Sequence, residues 1–203
     1  MCTAHIDPLI LQLGASPGLY AFEAEEFVTH WYALLAATNS ISELGSFARH
    51  SALIERLLSS LQQSGQATPD FPCNDQTRKR HQGNLWLRLP ALAELLGKLR
   101  GLGTGAIARG HCEHGLRVRM MFLLARAESL FSLASTSKCR ATNSSKVEAA
   151  LRQLAWVVRT DILSSGRCRL SASAYFALGS AVIDQVFFWI GDSANALTEL
   201  ASA

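Results

Sequence analysis

Residues 110–115, Gly-His-Cys-Glu-His-Gly, concentrate the groups in this chain that could bind a metal. Neutral imidazole, thiolate and carboxylate are all competent zinc donors, so His111, Cys112, Glu113 and His114 must be weighed as ligands. Their spacing argues against it. A helical zinc pair places two histidines four residues apart on one face, and His111 and His114 are three apart. No second His/Cys pair stands at ligand spacing elsewhere, so the hexapeptide reads as a polar loop bounded by glycines. A metal-dependent enzyme built around His111–His114 remains the minor alternative.

Gly101-Leu102-Gly103-Thr104-Gly105 raises the question of phosphate binding. A dinucleotide site needs GxGxxG after a strand and before a helix, because the amides at the helix start cradle the pyrophosphate. Here the third glycine comes one residue early and the preceding element reads as a helix. The Gly-Lys-Ser/Thr of a P-loop is absent. A flexible helix–helix turn is the better reading. His5, His30, His50 and His81 stand without motif partners, no GxSxG elbow occurs, and no cysteine lies in a catalytic signature. The residues therefore predict a non-enzymatic protein with no catalytic residues, no metal and no cofactor.

The elements that would position any site are helical. The first stretch, with Pro8, Gly14, Pro17 and Gly18, is irregular. Phe27, Trp31, Leu34 and Leu35 predict a helix over 22–37. Phe47, Ile54, Leu57, Leu58 and Leu61 predict another over 47–63, stopped by Gly65. Residues 64–84 read as one long polar connection. Pro90 suits the first turn of a helix over 90–99, whose Leu92, Leu95, Leu96 and Leu99 recur at i, i+3, i+4 and i+7. Gly101, Gly103 and Gly105 are expected to end it. Further helices are expected over 116–133, over 145–164 from a capping box of Ser145 and Glu148 to a stop at Gly166, and over 171–190 from Ser171 to Gly191. No strand alternation and no fixed-period repeat occurs. The pattern predicts an all-α fold, a compact bundle of about six helices with a long polar loop near 64–84. It divides into an N-terminal helical segment 1–65, a linker 66–84 and a helical domain 85–203. One continuous domain 1–203 is the alternative.

Composition narrows the partners. The chain has 203 residues, enough to bury a sizeable core, and is 49% hydrophobic, which excludes global disorder. Only 17% of residues are charged, below the usual quarter, so either a partner covers part of the surface or the surface is simply rich in alanine and serine. A net charge of +3 without a basic stripe gives no reason to expect nucleic acid. Arg78, Lys79, Arg80 and His81 read as a solvated cluster. Cys2, Cys73, Cys112, Cys139 and Cys168 are odd in number and form no CxxC, which favours a reducing, intracellular compartment. The N-terminus lacks a basic n-region. The longest apolar run, Tyr175–Ile190, is broken by Asp184 and Gln185, so a buried helix of a soluble protein is expected rather than a span. Trp156 and Trp189 read as core. Trp86 stands ahead of its helix beside Arg88, and both types are favoured at interface hot spots. Trp86, Arg88, Pro90 and Arg100 are the candidate partner-binding residues.

Leu85-Trp86-Leu87-Arg88-Leu89-Pro90, followed by Ala91-Leu92-Ala93-Glu94-Leu95-Leu96-Gly97, resembles the central motif of the type III secretion accessory proteins of the SctK family. Ala108-Arg109-Gly110 fits the Ala-Arg-Gly that closes that motif, and Asp7-Pro8-Leu9 resembles the family's N-terminal Asp-Pro-Leu. The family's early His-Pro step is replaced here by Ala15-Ser16-Pro17, a departure that would suit a plant-associated, NolU-like nodulation branch. The resemblance implies a cytoplasmic, non-enzymatic scaffold at the inner-membrane face, which links the inner-membrane ring to the pod proteins of the sorting platform and supports effector export. Its expected partners are those secretion proteins, with membrane contact only through them. A helical transcription regulator is the alternative of another class; Arg117, Arg119 and Arg126 are its only hint, and salt-dependent DNA binding would reveal it.

Overall fold

The computed structural model describes residues 21–37, 40, 42–67, 76–135, 142–164 and 169–202. Their regular structure is helical throughout: α1 (Ala21–Ala37), α2 (Glu43–Ala67), α3 (Gln76–Gly83), α4 (Leu89–Arg109), α5 (His114–Ser135), α6 (Thr142–Val157) and α7 (Ala172–Ser202). Two π-helical segments, Asn84–Arg88 and Val158–Ile162, join α3 to α4 and extend α6. Side-chain hydroxyls start two of the helices. Ser42 Oγ accepts the Gly45 N–H at 3.1 Å, and Ser171 Oγ accepts the Ala174 N–H at 3.1 Å. Each satisfies one of the amides that a helix start leaves without a partner.

The chain forms two compact units, Met1–Leu61 and Gln62–Ala203. In the first, Trp31, Leu34 and Leu53 are buried, with Phe27, Val28 and Leu35 packed against them. The edge of Trp31 meets the His50 ring at 6.3 Å. Arg56 bonds Glu26 across the pair of helices and, first by that hydrogen bond and then by its charge, holds the Glu26 carboxyl below its usual range.

In the second unit α4 is the axis. Leu92, Leu95, Leu96, Leu99 and Leu102 are buried at helical spacing, and α4 packs on both α5 and α7. Even Glu94 and Lys98, on the side away from those leucines, pair at 3.2 Å with side chains only 10% and 12% exposed. Met120, Leu123, Leu124 and Ala127 of α5, Val147, Leu151 and Leu154 of α6, and Tyr175, Val182 and Val186 of α7 complete the core. Each buried valine, leucine or methionine among them contributes about 1.5–3 kcal/mol when taken from water.

The glycines depart from expectation. Gly101, Gly103 and Gly105 lie inside α4, which runs on to Arg109 and ends at Gly110, left-handed at φ 73°. Gly103 is a packing glycine: a Cβ there would run into the Tyr175 ring, whose hydroxyl donates to the Leu99 carbonyl at 3.0 Å. A Cβ on Gly179 would stand 2.9 Å from Arg100 Cβ. Close approach of α4 and α7 therefore requires the absent side chains, and packing overrides the weak stop signal of glycine. Gly65 and Gly191 likewise fall within α2 and α7.

Pro90 stands in the first turn of α4, as expected, but α4 continues from a helical segment ahead of it. Arg88, two residues before it, is already helical at φ −74° and ψ −49°. Proline removes the i→i−4 bond and crowds the carbonyl four residues back. The preceding turn is widened, with the Leu89 N–H bonding the Asn84 carbonyl five residues back. Residues 64–67 and 76–84, expected in a polar loop, are helical. Ser145 lies inside α6 rather than at its cap, and Glu148 pairs with Arg152 at 2.7 Å. The readings of residues 1–20, including Asp7-Pro8-Leu9, and of Cys73, Cys139, Gly166 and Cys168 fall outside the described residues.

Gly103→Ala is expected to lower the stability of the Gln62–Ala203 unit by a net 1–2 kcal/mol or so, because overlap with Tyr175 outweighs the helix propensity gained. Gly191→Ala, where a Cβ meets nothing within 4 Å, should instead raise it by up to about 1 kcal/mol. Urea denaturation of the full chain and both variants checks the pair. Equal effects at the two positions would refute the close-packing role.

Candidate interaction site

Each of the four sequence-derived contact residues has an intramolecular task. Trp86 packs over Gly65, so closely that a Cβ on the glycine would enter the indole. Arg88 Nη1 donates to Asn84 Oδ1 at 3.2 Å and lies over Gly83, whose added Cβ would stand 2.8 Å from Nη1. Pro90 is half-buried at the start of α4. Arg100 bridges α4 and α7: Nη1 donates to Ser180 Oγ at 2.8 Å and the guanidinium lies 4.5 Å from the Phe176 ring centroid. Nothing in the sequence pattern singled out Asn84. It is buried, and its Nδ2 donates at 3.1 Å to the Ala134 carbonyl near the end of α5, one of the acceptors a helix end leaves over. Trp86, Arg88 and Asn84 thus anchor the π segment, and Arg100 anchors the α4–α7 crossing.

Residues 110–113 form the turn between α4 and α5. The His111 ring nitrogen Nδ1 lies 3.2 Å from the Arg109 carbonyl, and Arg117 Nε donates to the Cys112 carbonyl at 3.1 Å. His111 and Glu113 approach to 3.9 Å on the exposed side, and His114 already belongs to α5. Among the described residues no three His, Cys, Asp or Glu side chains come together as a metal site would need. Burial pushes the Cys112 thiol above its ordinary pKa, against the pull of Arg117 and Arg109.

What the surface offers is apolar area. Phe122 is 64% exposed, and Val118, Met121 and Leu133 of α5 are also exposed. Two residues along a helix is about 200°, so Phe122 faces away from buried Met120 and Leu124. Trp156 is 57% exposed for the same reason, two residues beyond buried Leu154, whereas Trp189 is buried edge-on to Phe131 at 5.9 Å. Both tryptophans lie in apolar helices, and only the periodicity of their neighbours separates them. On α7, Phe187 and Phe188 point outward. Residues Ala172–Leu200 are long and apolar enough to cross a membrane by composition, yet one face of α7 is core and the other is open, so the expectation of a buried helix holds for only half its circumference. A shallow groove between α5 and the second π segment is lined by Met121, Leu124, Ala125, Arg159, Leu163 and Ser164. Arg159 closes one side, its Nη2 donating to both Glu128 carboxylate oxygens at 2.7 and 2.9 Å. This arrangement suits binding of an apolar helical partner.

Arg100→Ala should destabilise the second unit by about 1–2 kcal/mol through loss of the Ser180 bond and the Phe176 contact. A thermal melt unchanged by that substitution would make Arg100 a surface group. The raised Cys112 pKa keeps the neutral thiol favoured in the folded state. Its contribution to stability is present below the unfolded-state pKa and is lost as pH rises through the folded one. Iodoacetamide labelling, mapped by mass spectrometry, should therefore be slower at Cys112 in folded than in unfolded chain at neutral pH, and should accelerate toward alkaline pH. Equal rates would contradict the burial. No family model, curated protein or solved structure matches this chain, so a functional reading has to rest on the sequence and this geometry.

Proposed function

We propose that this chain is a non-enzymatic accessory component of a type III protein secretion apparatus, acting at the cytoplasmic face of the inner membrane. In this reading it links the inner-membrane ring to the pod proteins of the sorting platform and so supports effector export. The observation that carries the docking role is Trp156 of α6, 57% exposed. Tryptophan beside arginine is the composition of interface hot spots, and Arg152 and Arg159 stand four before and three after Trp156 on the same helical run. The assignment to secretion is supported by the resemblance of Leu85–Gly97 to the SctK motif. The motif's role here is architectural: its tryptophan, arginine and proline shape the π segment that feeds α4, and the partner-facing surface lies on the helices that α4 supports.

The test is affinity purification of the tagged full chain from cells expressing such an apparatus. Ring and pod proteins should be recovered with it. Trp156→Asp should reduce that recovery about tenfold or more, equivalent to at least 1.4 kcal/mol, with an unchanged melting temperature. Clean chain without ring or pod proteins would reject the secretion role. Full recovery with Trp156→Asp would move the docking surface elsewhere.

A further inference from the structure

We infer that the outward faces of α5 and α7 dock on each other between copies of this chain, head to tail. The two faces are apolar and of opposite charge. On α5, Val118, Phe122, Ala125 and Leu133 form the outward stripe, with Arg119 and Arg126 along one edge. The one acidic residue of α5 is Glu128, and it is occupied by Arg159. On α7, Ala177, Ala181, Asp184, Phe188 and Gly191 recur at alternating spacings of four and three, all exposed, with Phe187 beside them. Asp184, Asp192 and Glu199 are the charged residues of α7 itself, which holds no lysine, arginine or histidine. Arg100 of α4 reaches one edge of the face at Ser180 and Phe176. Asp192 accepts from Asn143 at 2.7 Å, so Asp184 and Glu199 are the outward acids of α7.

That partition selects the occupant. A seam repeating every three and four residues fits another helix. Alanines and a glycine along it let the partner's backbone approach closely, leaving Phe188 as the knob. Pairing α7 with a second α7 would bring Asp184 and Glu199 against like charges. An anionic lipid surface is opposed in the same way. The basic, apolar face of α5 complements it in both respects, as electrostatic matching of interfaces requires. Because the two faces lie on different helices, the contact is heterologous: a pair of chains keeps one free α5 face and one free α7 face, and assembly continues unless it closes into a ring. The inference stands apart from the secretion reading, since it concerns purified chain alone.

Sedimentation velocity of the full chain is the measurement. Wild type should show a weight-average mass that rises above the 22.0 kDa of one chain with concentration and falls with added salt. Phe122→Asp places an acid opposite acidic α7, and Phe188→Lys places a base opposite basic α5, so each variant alone should remain monomeric with an unchanged melting temperature. Mixed in equal amounts, the two should associate, because each supplies the face the other has lost. Three results would overturn the inference: monomeric wild type at every concentration, a mixture that stays monomeric, or self-association retained by either variant. Monomeric chain that floats with phosphatidylcholine or phosphatidylglycerol vesicles would reassign the α7 face to a membrane.

Discussion

The closeness of α4 and α7 governs the larger unit. At Gly103 the Tyr175 ring occupies the volume that a side chain would take, and its hydroxyl bonds the Leu99 carbonyl at 3.0 Å. At Gly179 the stem of Arg100 does the same from the other direction. Two glycines on facing helices thus each receive a large side chain from the partner helix. A buried tyrosine needs a partner for its hydroxyl, and the Leu99 carbonyl is available because a carbonyl oxygen has a second lone pair beyond its helical bond. With that crossing fixed, Val182 and Val186 are fully buried, and the opposite side of α7 is left outward.

Two departures from α geometry adjust what that core presents. The first π segment absorbs Pro90 without ending the helix and turns Asn84 inward to the last turn of α5. The second, with the Leu163 N–H bonding the Val158 carbonyl at 2.9 Å, turns Asp161 inward and leaves Arg159 outward against Glu128. Widened turns of this kind shift the register of every later side chain, so they decide which residues share a face. Ahead of this segment, ordinary α periodicity carries Trp156 toward solvent; within and after it, Val158 and Ile162 stay buried.

The all-α class and most helix positions were legible because the leucine periodicity that marks a helix is also what packs it. Leu92, Leu95, Leu96 and Leu99 are buried as read. Punctuation was less legible. A glycine that ends a helix and one that admits a neighbour look alike in one dimension; Gly110 does the first and Gly103 the second. Pro90 was legible as a first-turn residue, while nothing in the sequence marked the π segment ahead of it. Trp86, Arg88 and Arg100 were legible as singular residues, while their intramolecular contacts with Gly65, Asn84 and Ser180 were not, because each joins positions far apart in sequence or lies in an unmarked π turn. The exposed aromatics Phe122, Phe187 and Phe188 were lost among apolar neighbours, since a helix that is apolar on both sides shows no amphipathic contrast.

That loss of contrast also explains the sparse charge. Whole-chain totals, 17% charged and +3 net, describe a weakly charged molecule and hide how the charges are distributed. α7 carries acids only, while α5 carries three arginines and a single acid already paired. An apolar helix face with one sign of charge cannot pack against its own copy without cost, and it loses apolar area to water if left bare. Segregating the signs on two helices relieves both difficulties together. Each face is disfavoured against itself and favoured against the other, which gives the surface a direction that neither the hydrophobicity nor the net charge of the chain would supply.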